Sequence, residues 1–424
     1  MSVSVLMVAE KPSICNSIAQ ALSKGKMESR GRTPPVHEFT STFMGKSAFI
    51  RVTSVTGHVF SVDFPSSYQS WDAVDPVELF SAPVLSIPEG KGGIVKHLER
   101  EAKEMDYLVL WLDCDREGEN ICFEVIRCVE KSMRRRSGQT IFRARFSAVT
   151  PKDIEKAMTC LVQPNENESK AVEARQELDL KIGVSFSRFQ TRYFQGKYGD
   201  LDSAVVSYGP CQTPTLGFCV ERYDEIQTFT PEPFWNIDLS IQGGNSSKLT
   251  LQWQRNRIFE QAVAETFVSL LSDDTVVECL SVRESESKKL RPQPMNTVAM
   301  LKIASSRLGI GPHATMRAAE ELYLSGYLSY PRTESTQYPA SFDIRDAIRI
   351  QVSNSDADLQ MHARSLLTNG YINPRHGVDV GDHPPITPVG VARDLVGDKA
   401  RLFDLIVRHF LATVSKHFYT NSIF

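Results

Sequence analysis

Three sets of residues have types and spacings that could do chemistry. Asp113-x-Asp115-x-Glu117 puts three carboxylates on one short stretch, and Glu10-Lys11 pairs an acid with a base much earlier in the chain. Alternating carboxylates on a turn can converge on a hard cation such as Mg²⁺, which takes oxygen ligands. Acids also gather at helix N-termini to complement the dipole, so three acids alone leave both readings open. Ser329-Tyr330-Pro331-Arg332 offers a phenol that can attack a phosphodiester and leave again, because its pKa of ~10 makes it a fair leaving group. Arg332 could hold the phosphate and stabilise transition-state charge. A tyrosine beside a proline also simply packs in many loops. The third set is Arg143, Arg145, Arg175, Arg188, Arg192 and Gln212, interleaved with Phe142, Phe186, Phe189 and Tyr193. Arginines for phosphate and aromatics for base stacking suit a single-strand groove. The same aromatics could be helix core and the arginines could snorkel. His383 stands in Asp382-His383-Pro384-Pro385-Ile386-Thr387-Pro388, a rigid polar context in which an imidazole could bind phosphate or merely turn the chain. No Gly-x-x-x-x-Gly-Lys-[Ser/Thr] loop signals an ATPase, and neither Gly-x-Ser-x-Gly nor His-Glu-x-x-His occurs.

The elements around these residues read as follows. Val3 to Val8 is a buried strand, Glu10 to Ser13 a polar turn, and Ile14, Ile18, Ala21 and Leu22 lie at helical spacing up to Gly25. Phe49 to Val55 reads as a strand. Tyr107 to Leu112 is apolar on both faces, as a central parallel strand should be, and runs straight into the Asp113 turn. Ile121 to Val129 then reads as a helix and Ile141 to Phe146 as a strand. The acidic turns thus fall at the carboxyl ends of strands, where open α/β sheets place their sites. The polar stretch Gln163 to Lys170 suggests a boundary before a helix over Ala171 to Tyr193. A short helix follows Gly209-Pro210. Phe234 to Trp253 alternates like strands around a Gly243-Gly244-Asn245 turn, and Glu284 to Pro294 reads as a linker. Two helices fit Asn296 to Ser325, and further helices fit about 359–367 and 397–415.

With 424 residues, the chain is long enough for two to four domains at ~150 residues each. Its 41% hydrophobic and 23% charged content can build real cores and excludes a wholly disordered or fibrous chain. Lys plus Arg total 48 against 51 Asp plus Glu, so no global positive charge announces a nucleic-acid partner, although a basic groove can hide in a neutral total. No apolar run approaches the ~18 residues of a membrane helix, and no secretory signal is expected. The eight cysteines include no Cys-x-x-Cys pair, so a reduced compartment and no cysteine-rich zinc site are expected.

Taken together, these motifs resemble one family. Glu10-Lys11-Pro12-Ser13 and the Asp113-x-Asp115-x-Glu117 turn resemble a Toprim domain, and Tyr330-Pro331-Arg332-Thr333 resembles the active-site motif of type IA DNA topoisomerases. Tyr208 to Pro214 and Gly381 to Pro388 resemble the eukaryotic topoisomerase III group, and Tyr193 to Asp200 its beta branch. The resemblance covers essentially the whole chain, in order. It implies a multidomain α/β plus α and β fold around a central hole. Its regions would be a Toprim domain (1–158), a helical strand-binding domain (159–230), a β-rich gate arch (231–290, rejoined by 405–424) and a helical domain bearing the tyrosine (291–404).

In function, the resemblance implies Mg²⁺-dependent, ATP-independent cleavage of one DNA strand, strand passage and religation, with relaxation of negative supercoils and decatenation. Tyr330 would form a 5′-phosphotyrosine. Glu10 would be the general acid, Lys11 and Arg332 would stabilise the phosphoryl transition state, and Glu10, Asp113, Asp115 and Glu117 would hold the metal. Arg143, Arg175, Asp179, Gln212 and His383 fall on positions that bind or orient the strand. Single-stranded DNA, RNA as a further substrate, a Tudor-domain adaptor, a monomeric state, no membrane, and a nuclear location extending to the cytoplasm complete the expectations. Family chains continue past the position of Phe424, so a fragment or truncated product is expected. A Toprim nuclease or primase, or a binding-only remnant, are the alternatives.

Overall fold

The computed structural model describes residues 2–31, 34–134, 137–198, 204–242, 248–271, 276–282, 284–392, 394–416 and 418–423. They form two compact units, Met1–Ser207 with Lys288–Tyr419, and Tyr208–Ser287 with Thr420–Phe424.

The larger unit starts with β1 (Val3–Ala9), α1 (Pro12–Ser23), β2 (Glu28–Arg30), β3 (Val36–Phe43) and β4 (Lys46–Ser54). A small antiparallel pair follows, β5 (Phe60–Asp63) with β6 (Leu85–Pro88). Next come α2 (Gly93–Ala102), β7 (Tyr107–Trp111), α3 (Arg116–Val129), β8 (Ile141–Arg143), α4 (Pro151–Thr159) and α5 (Glu166–Phe194). The main sheet has the order β2-β3-β4-β1-β7-β8. Its β4-β1-β7-β8 part is parallel, and β3 and β2 add an antiparallel edge.

Successive residues of a strand face opposite sides, and β1 is apolar on both. Val5 and Met7 pack with Ile14, Ile18, Val52 and Trp111 on the α1 side. Leu6 and Val8 pack with Leu98, Leu110, Ile121 and Val125 under α2 and α3. Each such side chain contributes about 1.5–3 kcal/mol when fully buried. This two-sided core holds β1 and β7 side by side, and the chemistry sits just past their ends.

The helix α5 begins before the expected boundary. Asn165 caps it by accepting from the Asn167 amide, and Glu166 and Glu168 suit the positive end of its dipole. The polar stretch read as a boundary is therefore the first turn of the helix.

The second segment of the larger unit is helical: α8 (Thr297–Ile303), α9 (Pro312–Leu324), α10 (Ile344–Gln351), α11 (Ala357–Asn369) and α12 (Gly397–Val414). Met300, Leu322, Ile348, Leu366, Ile406 and Phe410 share its core. Tyr323 and Tyr330 leave that core and join the apolar cluster on the α1 side of the sheet.

The smaller unit contains α6 (Gln212–Gln227), the antiparallel pair β9 (Asp238–Gln242) and β10 (Lys248–Gln252), and α7 (Gln261–Ser269). The expected turn at Gly243-Gly244-Asn245 lies outside the described residues, as does the Gly199-Asp200 end of the beta-branch signature. Where a linker was expected, β11 (Glu284–Lys289) pairs with β12 (Phe418–Ile423). Glu-Ser-Glu-Ser-Lys-Lys has no apolar alternation, so backbone pairing gives a strand that its side chains do not announce. Among the described residues no helix is long and apolar enough to cross a membrane.

Candidate active site

The parallel register pairs Ala9 of β1 with Trp111 of β7, so the turns after the two strands meet. The Asp113 amide donates to Glu10 Oε2 at 3.0 Å. Lys11 Nζ lies 3.4 Å from Asp113 Oδ2 and 3.7 Å from Glu10 Oε1. Burial, then the negative charge of Asp113, pushes the Glu10 carboxyl up to about 7. Burial likewise raises Asp113, with Asp115 adding to it. Burial alone would lower Lys11, but Asp113 and Glu10 outweigh it and hold the ammonium charged. Asp115 caps α3 by accepting from the Gly118 amide at 2.8 Å, which leaves its other oxygen free to face the pocket.

Into this pocket comes Tyr330, from the loop after α9. Its amide donates to Ser147 O at 2.9 Å and its hydroxyl to Asp115 Oδ2 at 2.7 Å. The Tyr330 ring meets Tyr323 edge-on with centroids 5.2 Å apart and lies 4.3 Å from the His383 ring. Tyr323, fully buried, donates its hydroxyl to Asp113 Oδ1 at 3.1 Å. Burial, then Asp113 and Asp115, push the Tyr330 phenol far above its ordinary value, so it is protonated here. The two loops that meet over Tyr330 are tied together by Asp382. Its carboxylate accepts from the Glu334 amide at 2.8 Å and from Ser335 Oγ at 2.5 Å, while Thr333 Oγ1 donates to His383 O at 2.6 Å.

Several expected site residues have other roles in this arrangement. His383, read as an imidazole that could bind phosphate, is enclosed here: burial drives its imidazole down to about 4, and its Nε2 is buried without a hydrogen-bond partner. Arg143, expected to bind or orient the strand, is engaged within the fold. Its guanidinium is 1% exposed and donates to Glu119 Oε2 at 2.9 Å, Leu112 O at 2.8 Å and Asp113 O at 2.8 Å. Such a buried cation is satisfied from within and pins the end of β7. Glu117 is turned away to His58 Nε2 at 3.2 Å and Arg175 Nη2 at 2.5 Å. His58 bridges on to Glu124 at 2.9 Å, and its hydrogen bonds to the Glu117 and Glu124 carboxylates raise it to about 10. Asp179 lies 3.9 Å from Arg175, both on the exposed side of α5. Arg332 is exposed and bound to Glu320 of α9. Gln212 is exposed at the first position of α6 in the smaller unit. Among the described residues no three acidic, histidine or cysteine side chains converge tightly enough to grip an ion. Tyr323, Glu320, His58 and Glu124 had no signal in the sequence.

Most of the chain matches two family descriptions, "Toprim domain" over residues 5–149 and "DNA topoisomerase" over residues 163–423. The chain belongs to the type IA topoisomerase family. Among curated relatives, DNA topoisomerase 3-beta of Oryza sativa subsp. japonica is 53% identical, the match covering 98% of this chain and 48% of that protein. DNA topoisomerase 3-beta-1 of Homo sapiens is 49% identical over 97% of this chain and 48% of its own. DNA topoisomerase 3-alpha of Homo sapiens is 39% identical over 97% and 41%. Similarity is thus greater to these beta relatives. This chain spans about half the length of the curated relatives it matches. Full-length topoisomerase I from Thermotoga maritima superposes with a TM-score of 0.66 at 22% identity, covering 99% of this chain and 62% of that one, and shares the fold.

Proposed function

We propose that this family member cleaves one DNA strand by transesterification onto Tyr330, passes a strand and religates, without ATP. The observation that carries this reading is the Tyr330 hydroxyl donating to Asp115 in a pocket that also holds Glu10, Lys11 and Asp113. In cleavage, Tyr330 Oη bonds to phosphorus and the P–O3′ bond breaks. The phenolic proton goes to Asp115, to which it is already donated. The departing 3′-oxygen takes a proton from Glu10, whose carboxyl at about 7 keeps one in reach near neutral pH. Religation reverses each transfer, and because one ester replaces another no nucleotide hydrolysis is needed. Lys11 and Arg332 stabilise the phosphoryl charge.

Asp113 and Asp115, with Glu10, would hold Mg²⁺ partly through water, since the three do not converge as a direct ligand set in this arrangement. The donors are hard oxygens, and the burial that raises Glu10 and Asp113, with the neighbouring carboxylate charges adding to it, is what a divalent cation offsets. Glu117, engaged by His58 and Arg175, does not fit as a ligand in this arrangement. Bound there, the ion would supply positive charge against the strand's phosphate.

The finer expectations belong to this proposal. They are the four-region division at 158, 230 and 290, strand contacts from Arg175 and Gln212, relaxation and decatenation, RNA as a further substrate, a Tudor-domain adaptor, a monomeric enzyme and a nuclear site. The test is a single-stranded oligonucleotide labelled at its 3′ end, mixed with the chain and Mg²⁺ and quenched in denaturant. Label retained on the protein supports a 5′-phosphotyrosine. With the same oligonucleotide labelled instead at its 5′ end as a second arm, label retained only there means the opposite polarity, and free fragment from both arms means hydrolysis.

A further inference from the structure

The helix α9 presents Glu320 and Tyr323 three positions apart, hence on one face. Tyr323 turns to Asp113. Glu320 turns to Arg332, whose Nε donates to Glu320 Oε1 at 3.1 Å while Nη2 approaches the same oxygen. Nε and Nη2 form the side edge of the guanidinium, an edge that pairs as well with a phosphate as with a carboxylate. Glu320 also lies close enough to Lys11 to add to the charges that keep its ammonium protonated. A carboxylate placed among the two cations assigned to the phosphoryl group sits where an anion is wanted.

We propose that Glu320 is a stand-in anion for the scissile phosphate: it occupies Arg332 while no strand is bound and competes with the strand for that guanidinium. The inference rests on the roles given above to Tyr330, Lys11 and Arg332. Arg332 turns from Glu320 to the phosphate as the strand seats, and back as it leaves. Glu320 therefore weakens strand binding and favours release after religation. A surface ion pair of this kind contributes ~0.2–1 kcal/mol, so the competition is a tuning of affinity and not a block.

The test is binding of a labelled single-stranded DNA oligonucleotide by the full chain carrying Tyr330→Phe, which removes chemistry from the measurement. Adding Glu320→Gln should tighten binding by about 1.5- to 5-fold, the range such a pair allows. Glu320→Lys should tighten it further and Glu320→Asp should leave it near the parent. Two side chains of different shape acting in the same direction would not follow from lost packing. Combining Glu320→Gln with Arg332→Gln should remove most of the gain. Binding by Glu320→Gln that is equal to or weaker than the parent's, with unchanged melting, overturns the inference while leaving the strand-cutting assignment standing. A parent that binds no strand at low salt overturns that assignment, and this inference with it.

Discussion

Tyr330 and Asp115 stand 215 positions apart in the chain, and the phenol donates to the carboxylate at 2.7 Å. The contact joins the helical segment to the α/β sheet at the atoms that would exchange a proton. It also ties the protonation of the nucleophile to one named acceptor. Replacing Asp115 by Asn keeps the shape and removes the base. We expect cleavage to slow by about 10²–10³, within the range for a positioned acid or base, while oligonucleotide affinity changes less than about 2-fold. Single-turnover cleavage beside an equilibrium binding curve checks this. A variant that cuts at the parent rate removes Asp115 from the proton path.

Arg143 and Arg175 should separate cleanly. Arg143 is buried and bonded to Glu119 and to four backbone carbonyls, those of Leu110, Leu112 and Asp113 around the end of β7 and that of Ala144, so Arg143→Gln should destabilise the fold by about 3–5 kcal/mol, as removal of one partner of a buried pair does. Arg175 is exposed on α5, and Arg175→Gln should leave the melt unchanged and weaken strand binding. Chemical denaturation of both variants decides. Equal stability in the two would mean that Arg143 is not the anchor described.

Much of the site was legible because local pattern and chemistry coincide. The apolar run Tyr107–Trp111 ending in two aspartates, and Val3–Ala9 ending in Glu10, each say strand then acid, and parallel pairing brings them together. Other parts depend on burial and rotamer, which a sequence does not carry. Arg143 looks like any strand-binding arginine until its neighbours are seen. Glu117 has the spacing of a third ligand, but His58 and Arg175 come from elsewhere to claim it. Glu320 and Tyr323 look like an ordinary amphipathic helix. The start of α5 was missed because a capping asparagine followed by acids also resembles a polar linker.

Gly118 is the tightest point of the acidic turn. A Cβ built there would lie 2.0 Å from Asp113 O, so the backbone has no room for any side chain. Gly118→Ala must push α3 away from the Asp113 turn. We expect a loss of several kcal/mol, comparable with the worst overpacking in a core, together with loss of cleavage. A variant with parental stability and cleavage would show that the turn relaxes freely.

His383 gives the pocket a pH dependence whose sign is fixed. Its ring has a value of about 4 here against the ordinary ~6.5, so the unfolded chain binds the extra proton between those values. Its contribution to stability is present above about pH 6.5, falls as the pH drops toward 4, and amounts to about 3 kcal/mol at most. A histidine-selective NMR titration of the strand-free chain should show this ring still neutral at pH 5.5. A ring half-protonated near pH 6.5 would mean that it is not enclosed beside Tyr330.

The most direct measurement is the covalent adduct itself, in the parent and in Tyr330→Phe. Phe keeps the ring packed against Tyr323 and His383 and removes only the oxygen bonded to Asp115. With Mg²⁺ and a single-stranded oligonucleotide, denaturant quenching should trap an adduct on the parent, and proteolysis should place it on the peptide containing Tyr330. The Phe variant should bind the strand within about 2-fold of the parent, since the oxygen's bond is internal, and should give no adduct. An adduct formed at the parental level by Tyr330→Phe would contradict the account at its centre.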